Sequence, residues 1–588
     1  MENKFKQGYQ YRDSGKFEEA LNVFKELSAD ASSRARGLME LAKTYKMMNR
    51  PSDALDFFAN ALKADPWNME AVKELGETAR FSGRLDKAIQ TLDETGDGKS
   101  FAQLELSTLY YDKNDLASSA AALKAAEKLD PSNTGINIGR GRIYRKQGDS
   151  KKAASEFKKA LAVEPSSTSA LSELADIYSC SGDLPKAIEY YNKAALLSPG
   201  DKNILLKLVE LHAVNGKTVL SDKAAQQVLQ LTPDKPFDRD SMLNKIEILQ
   251  KKTELSSKVK RLWVTVTTRC NIRCKTCGLW HEKWDLPYKT AQEVMEYYPT
   301  LERVVWLGGE VFLYKHFEEM FDTAAKYPNM KQQVITNGIL LDDKWMKKII
   351  TTPNVELTFS VDGVTKQVYE SIRQGSDFDK LLRNINRTME LKKQFNSKID
   401  IRMNVLIMRS NFNQIEELLD FAHERGFNQI SYLSLHLVNA PEENIFYESK
   451  EPAIMRFIGE VIPKLKEKAK SYNMEIDILL PPGELDFNDI VEQKQEPHSK
   501  GPVTENKPET AQTRPKDIYC RMPWQYMMIC DHGNVILTGS CIKSIGNISE
   551  NSLDEIWNSE AAQTYRRKMI ENQFEGLCRT ECMSRWDK

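Results

Sequence analysis

Cys270, Cys274 and Cys277 stand on one short stretch, RCNIRCKTCGLW, in the spacing Cys-x3-Cys-x2-Cys, with no fourth cysteine nearby. Three thiolates on one loop can hold three irons of a 4Fe-4S cluster and leave the fourth iron open to a small molecule. An open iron implies chemistry, not a structural staple. Two other readings stay open on these residues alone: a zinc site closed by the three cysteines and His281, or plain reduced thiols. The preceding run RLWVTVT alternates Leu262, Val264 and Val266 and predicts a strand that empties into the cysteine loop.

Such a loop needs a scaffold, and the residues that follow supply one. Strand candidates are 262–267, 303–307, 332–336, 355–360, 399–407 and 429–435, alternating with helical patterns at 314–326, 342–350, 378–393 and 413–425. Units of this βα kind imply a parallel sheet with its functional groups at the C-terminal strand ends. The second strand ends in Gly308-Gly309-Glu310, two glycines that let a ligand approach the backbone beside a carboxylate. The third ends in Thr336-Asn337-Gly338 and the fourth in Ser360-Val361-Asp362-Gly363. Arg373 follows in SIRQG, Asn404 lies on the fifth strand at an inward position, and His436 stands just after the sixth.

These motifs resemble those of the radical S-adenosylmethionine (radical SAM) enzymes, with Thr276 where an aromatic residue is usual and Val311 where the Gly-Gly-Glu motif usually continues with proline. The resemblance implies a partial (β/α)6 barrel. It further implies that Cys270, Cys274 and Cys277 bind a 4Fe-4S cluster whose open iron takes the amino and carboxylate groups of SAM. Reductive cleavage of SAM then yields a 5'-deoxyadenosyl radical that abstracts hydrogen from substrate, with an external electron donor. By the same resemblance Gly308, Gly309, Glu310, Asn337, Ser360, Asp362, Arg373 and Asn404 are the SAM-contacting residues. No catalytic acid or base is identified.

The N-terminal region reads differently. Pro131, Pro165, Pro199 and Pro233 recur every 34 residues, and upstream of them Tyr178, Gly182, Ala187, Tyr191 and Ala194 repeat as Tyr144, Gly148, Ala153, Phe157 and Ala160. Small residues at helical spacing let two axes come close, and a proline ends the second helix. The pattern resembles the tetratricopeptide repeat (TPR) and implies an all-α solenoid of about seven repeats over residues 1–235. DETGDGKS at 93–100 breaks the second helix of the third repeat, and the seventh repeat is degenerate. A concave solenoid face of this kind often takes a peptide or protein.

Residues 236–258 read as a connector with one amphipathic helix, and 259–480 as the radical SAM core. The stretch 481–517, rich in Pro, Glu and Lys, reads as a flexible linker. Beyond it Cys520, Cys541, Cys578 and Cys582 can close a tetrahedral zinc site or ligate every iron of a further 4Fe-4S cluster. The segments CRMPW, DHGNV, IGNISENSLDEIWNSE and CRTEC resemble the SPASM or twitch extension. That implies a small cysteine-rich domain at 518–588 with one auxiliary 4Fe-4S cluster. Cys530 is a rival to Cys541 but falls in the apolar strand YMMIC.

At 588 residues the chain exceeds one core. Net charge of -1 offers no general attraction to nucleic acid or to an anionic membrane. No apolar run approaches a membrane span, and eight of the nine cysteines lie after residue 269, as expected for metal binding in a reducing compartment. The expectation is a cytoplasmic radical SAM enzyme that modifies a peptide or protein docked on the TPR region. A small substrate (sugar, nucleotide or lipid precursor) is the second reading, and a non-catalytic TPR scaffold with iron-sulfur or zinc sites the third.

Overall fold

The computed structural model describes residues 1–279, 283–435, 440–445, 456–479, 520–539, 541, 543–573 and 577. They form two compact units, Met1–Gln227 and Val228–Lys588. Among the described residues no helix is long and apolar enough to cross a membrane.

Helices pair as seven hairpins through residues 2–230: α1 (Glu2–Asp13), α2 (Phe17–Ala29), α3 (Arg34–Met47), α4 (Pro51–Ala64), α5 (Met69–Ser82), α6 (Leu85–Thr95), α7 (Ser100–Asp112), α8 (Leu116–Leu129), α9 (Thr134–Lys146), α10 (Ser150–Val163), α11 (Thr168–Cys180), α12 (Leu184–Leu197), α13 (Lys202–Val214) and α14 (Thr218–Gln230). One left-handed residue turns the chain within each hairpin: Gly15, Asn49, Gly83, Asn114, Gly148, Gly182 and Gly216. They stand 34 apart except Gly83 and Asn114, which are 31 apart. The missing residues come out of α6, which is 11 residues long where α8 has 14. The packing follows the small-and-aromatic pattern: Ala153, Phe157, Ala160, Ala187, Tyr191 and Ala194 are all buried. Phe157 fills the space above Gly141, where a Cβ would run into the ring. Ion pairs then tie the first helix of one hairpin to that of the next, as Arg12–Glu40 at 2.6 Å, Lys46–Glu74 at 2.7 Å, Arg80–Glu105 at 2.8 Å and Arg145–Glu173 at 2.7 Å.

The second unit is built on a mostly parallel sheet: β1 (Arg261–Thr267), β2 (Arg303–Gly308), β3 (Lys331–Thr336), β4 (Val355–Ser360), β5 (Asp400–Ile407), β6 (Gln429–Ser434), β7 (Glu475–Leu479), β8 (Tyr526–Ile529), β9 (Asn534–Ile536) and β10 (Gly546–Asn547). Strands β1 to β7 are parallel neighbours in chain order, β8 pairs parallel with the free side of β1, and β9 and β10 continue antiparallel. The ladder ends at β10 and β7 without closing, so the architecture is an α/β partial barrel. The six expected strands are present. The sheet also takes in β7, whose short EIDIL run carries little signal by itself, and β8 from the C-terminal segment.

Val264, Trp306, Val334, Leu357 and Ile401 occupy one register row across five strands and are buried. That face packs on the crossover helices, among them α16 (Tyr288–Glu296), α17 (Phe317–Ala324), α18 (Asp343–Thr351), α19 (Lys366–Ile372), α20 (Phe378–Gln394), α21 (Ile415–Glu424) and α22 (Ile462–Ser471). The other face is polar. On β5 the buried residues Ile401, Met403, Val405 and Ile407 alternate with part-exposed Arg402, Asn404 and Leu406, and Gln333 Nε2 donates to Thr358 Oγ1 at 3.0 Å between β3 and β4. A sheet with one face sealed by helices and the other polar leaves its strand ends free to carry a site.

Candidate active site

The cysteine loop leaves β1 and is held on three sides by other strand ends. Gly309 N donates to the Thr267 carbonyl at 2.7 Å and Glu310 N to the Arg269 carbonyl at 2.8 Å. Gly308 has φ +138°, and a Cβ on Gly309 would stand 2.6 Å from the Thr268 carbonyl oxygen. The two glycines therefore admit the backbone of the cysteine loop. On the second side Arg273 and Cys274 form a two-residue antiparallel ladder with Gln374 and Arg373, and Lys275 N donates to the Ile372 carbonyl at 2.8 Å. On the third, Lys275 Nζ meets Glu443 Oε1 at 2.5 Å, and Glu443 also accepts from Ser410 N at 2.9 Å and Ser410 Oγ at 2.6 Å.

Of the expected ligand-binding residues, Gly309, Glu310, Asn337 and Arg373 meet this loop directly. Glu310 is fully buried and accepts from Thr336 Oγ1 at 2.9 and 3.0 Å and from Asn337 N at 3.0 Å. Burial raises its carboxyl to about 7 against the pull of those donors. Asn337 Nδ2 donates to Asn271 Oδ1 at 2.9 Å and reaches Cys270 Sγ at 3.7 Å. Arg373 is buried, so it is not a solvated arginine: it caps the C-terminal end of α19, pairs with Asp362 Oδ2 at 2.7 Å and reaches Cys274 Sγ at 3.8 Å. Asp362 accepts the Leu406 amide at 2.8 Å, which joins the ends of β4 and β5. Ser360 and Asn404 are register partners, and Val361 N donates to the Asn404 carbonyl at 2.9 Å.

The donor set suits an iron-sulfur group. Among the described residues no three His, Cys, Asp or Glu side chains converge closely enough to hold a lone metal ion. Cys270, Cys274 and Cys277 are free thiols, each part-buried, on the one loop. Burial raises the Cys274 thiol to about 11, and Arg373 opposes the rise. Burial raises Cys270 too, while the Ile272 amide and Asn337 favour its thiolate. Thiols costly to ionise alone but facing an arginine and an amide N–H are poised for a positively charged partner such as iron. His281 and His436 lie outside the described residues.

Several residues of this site carry no signal in the sequence. Asp285 takes Arg269 through two bonds at 3.0 and 2.5 Å and Thr267 Oγ1 at 2.6 Å, and so braces the base of the loop. Glu443 holds Lys275. None of these side chains belongs to a periodic pattern, and only contact between distant strand ends reveals them.

At the C-terminal end Cys541 is buried in the core of the second unit and Cys520 packs against the same core. Cys541 N donates to the Thr538 carbonyl at 2.9 Å, and Thr538 Oγ1 reaches its Sγ at 3.5 Å. Cys530 lies one residue beyond β8, where burial raises its thiol to about 11 with Asp531 adding to the rise. Cys578 and Cys582 lie outside the described residues. His532, with a left-handed backbone, brings its ring to 6.4 Å from that of Trp284, just beyond the cysteine loop.

Comparison with known proteins agrees with this geometry. Residues 264–422 match the radical SAM superfamily and residues 520–583 the SPASM iron-sulfur cluster-binding domain. Tetratricopeptide repeats match at 47–97, 104–162 and 138–202. The chain is similar to the probable GTP 3',8-cyclase of Sulfurisphaera tokodaii, 22% identical over 238 residues, which are 38% of this chain and 73% of that one. It is also similar to the tungsten-containing aldehyde ferredoxin oxidoreductase cofactor-modifying protein of Pyrococcus furiosus, 25% identical over 344 residues, 56% of this chain and 88% of that one. Among solved structures, Streptococcus suis SuiB bound to S-adenosylmethionine aligns with a TM-score of 0.41 at 16% identity, over 61% of this chain and 83% of that chain. The chain thus carries a radical SAM domain and a SPASM cluster-binding domain behind an array of tetratricopeptide repeats.

Proposed function

We propose that Cys270, Cys274 and Cys277 hold a 4Fe-4S cluster and that Gly308, Gly309, Glu310, Asn337, Ser360, Asp362, Arg373 and Asn404 form the SAM site beside it. Cys520, Cys541, Cys578 and Cys582 hold one auxiliary cluster. When bound, the first cluster supplies the electron that cleaves SAM and starts radical chemistry on the substrate. The chain's own residues bind and orient: Arg373 and Asn337 donate toward cysteine sulfurs, buried Glu310 offers a carboxylate to the SAM amino group, and Asp362 fixes Arg373. The observation that carries this reading is the joining of the cysteine loop to Glu310 and Asn337 from two strand ends and to Arg373 from the end of α19.

The substrate is a peptide or protein docked through the TPR region, a reading supported by the joining of such repeats to a SPASM extension. A second reading, a small-molecule substrate, is favoured by the name GTP 3',8-cyclase borne by the Sulfurisphaera relative. Anaerobically reconstituted full chain, given SAM and dithionite, is expected to release 5'-deoxyadenosine. Peptides encoded beside its gene are expected to gain or lose mass with it, and to lose that turnover when residues 1–235 are removed. Turnover of an untethered small molecule by the shortened chain would favour the second reading. Absence of 5'-deoxyadenosine from fully iron-loaded protein would leave a non-catalytic scaffold.

A further inference from the structure

Two buried hydrogen-bond donors at the end of α19 have no acceptor among the described residues. Tyr369 is completely buried, and among the described residues its hydroxyl has no hydrogen-bond partner. Arg373, four residues on, is 8% exposed, and its Nε is likewise unpartnered although Nη2 meets Asp362 and Nη1 reaches Cys274. Tyr369 stands one helical turn before Arg373 at the end of α19, a spacing that puts the two side chains on one face of the helix.

A buried donor left unpaired is costly, and native proteins rarely keep one without a use. Packing does not account for this hydroxyl. The Tyr369 ring meets Phe378 with centroids 5.2 Å apart, a contact that phenylalanine would make equally well. Next to a guanidinium, the group that satisfies a hydroxyl donor is an acceptor and carries negative charge. SAM offers one such group, its carboxylate.

We propose that the Tyr369 hydroxyl donates a hydrogen bond to the carboxylate of SAM, alongside Arg373. The inference rests on the reading of this site as a SAM site and adds a residue to it.

The test is calorimetric titration of anaerobically cluster-loaded full chain, as wild type and Tyr369→Phe, with SAM and with decarboxylated SAM. Loss of one hydrogen bond to a charged group weakens binding about tenfold to a hundredfold. SAM is expected to lose that much affinity in Tyr369→Phe, while decarboxylated SAM binds both proteins alike. Without ligand, the variant is expected to melt at or above the wild-type temperature with unchanged iron content, because an unpaired buried hydroxyl has been removed. Equal affinity of both proteins for SAM overturns the proposal, as does an equal loss for both compounds or a clear drop in ligand-free stability. If wild-type protein binds neither compound, the SAM-site reading itself fails, a result distinct from the others.

Discussion

Asn244 Nδ2 donates to the main-chain carbonyl of Trp524 at 2.7 Å, across 280 residues of chain. The same amide donates to Ser257 Oγ at 3.0 Å. Around this pair Trp524 Nε1 donates to the Lys252 carbonyl at 2.6 Å and Trp557 Nε1 to the Ser257 carbonyl at 2.9 Å, while Leu255 and Asn558 exchange two bonds at 2.9 and 2.7 Å. Residues 236–258, read from the sequence as a connector, thus pack between β1 and the C-terminal segment. The helix α15 (Pro236–Leu249) and the turn after it hold the stretch just past Cys520 through Trp524.

Arg566 is the clearest test of that mortar. It lies on α23 (Glu560–Ile570), fully buried over the Trp557 ring at 4.4 Å, and donates to the carbonyls of Pro523 at 3.0 Å, Thr253 at 2.8 Å and Trp557 at 2.8 Å. Burial lowers its pKa to about 9, with Glu247 opposing. Arg566→Met leaves three buried carbonyls without a donor and is expected to destabilise the second unit by about 3–5 kcal/mol, read as a fall in the urea midpoint of tryptophan fluorescence. Arg566→Lys should recover only part of this, since one ammonium cannot span the three acceptors.

Gly309→Ala drives a Cβ against the carbonyls of Thr268 and Arg269. The loop must shift as a whole, because both opposing atoms are backbone. The expected cost is about 3 kcal/mol, together with loss of iron at Cys270, Cys274 and Cys277 while the C-terminal site still loads. Iron and sulfide per chain, measured with and without the C-terminal cysteines changed to alanine, separate the two.

The Lys275–Glu443 pair makes a pH prediction. Burial opposes ionisation of Glu443, but Lys275 and Ser410 outweigh it and its pKa falls below the ordinary 4.5. A carboxyl with a depressed folded value adds stability that is present above its unfolded pKa and is lost as pH falls through the folded one. Protection of the Ser410 amide, its exchange rate taken relative to the intrinsic rate at each pH, should therefore fall below about pH 4.5 in the metal-free protein. In Glu443→Gln that protection should be low and independent of pH in that range; an unchanged acid profile in that variant contradicts the assignment.

Glu310→Gln keeps the volume of the buried side chain and an acceptor for Thr336 and Asn337, but removes the charge. The variant is expected to fold and to take up iron, and to bind SAM at least tenfold more weakly, on the order of the 1.4 kcal/mol or more that a charged hydrogen bond contributes. Calorimetry on the loaded protein measures it, and wild-type affinity in the variant would remove Glu310 from the site.

Local pattern in the chain sufficed for the cysteine spacing, the 34-residue period and the order of the strand ends, because each is set within one turn, one strand or one hairpin. Asn337 and Asp362 stand just past the C-terminal ends of parallel strands, a place that local pattern marks, whereas Arg373 follows a whole helix and was singled out by the resemblance of its motif. Tertiary structure alone decided that Gly309 makes room for the cysteine loop, that Asp285 and Glu443 brace it, and that β8 joins β1 and so binds the C-terminal cysteines to the barrel. Those facts depend on contacts between residues tens to hundreds of positions apart, and such contacts exist only once the chain has paid the entropy of closing its loops and brought the strands side by side.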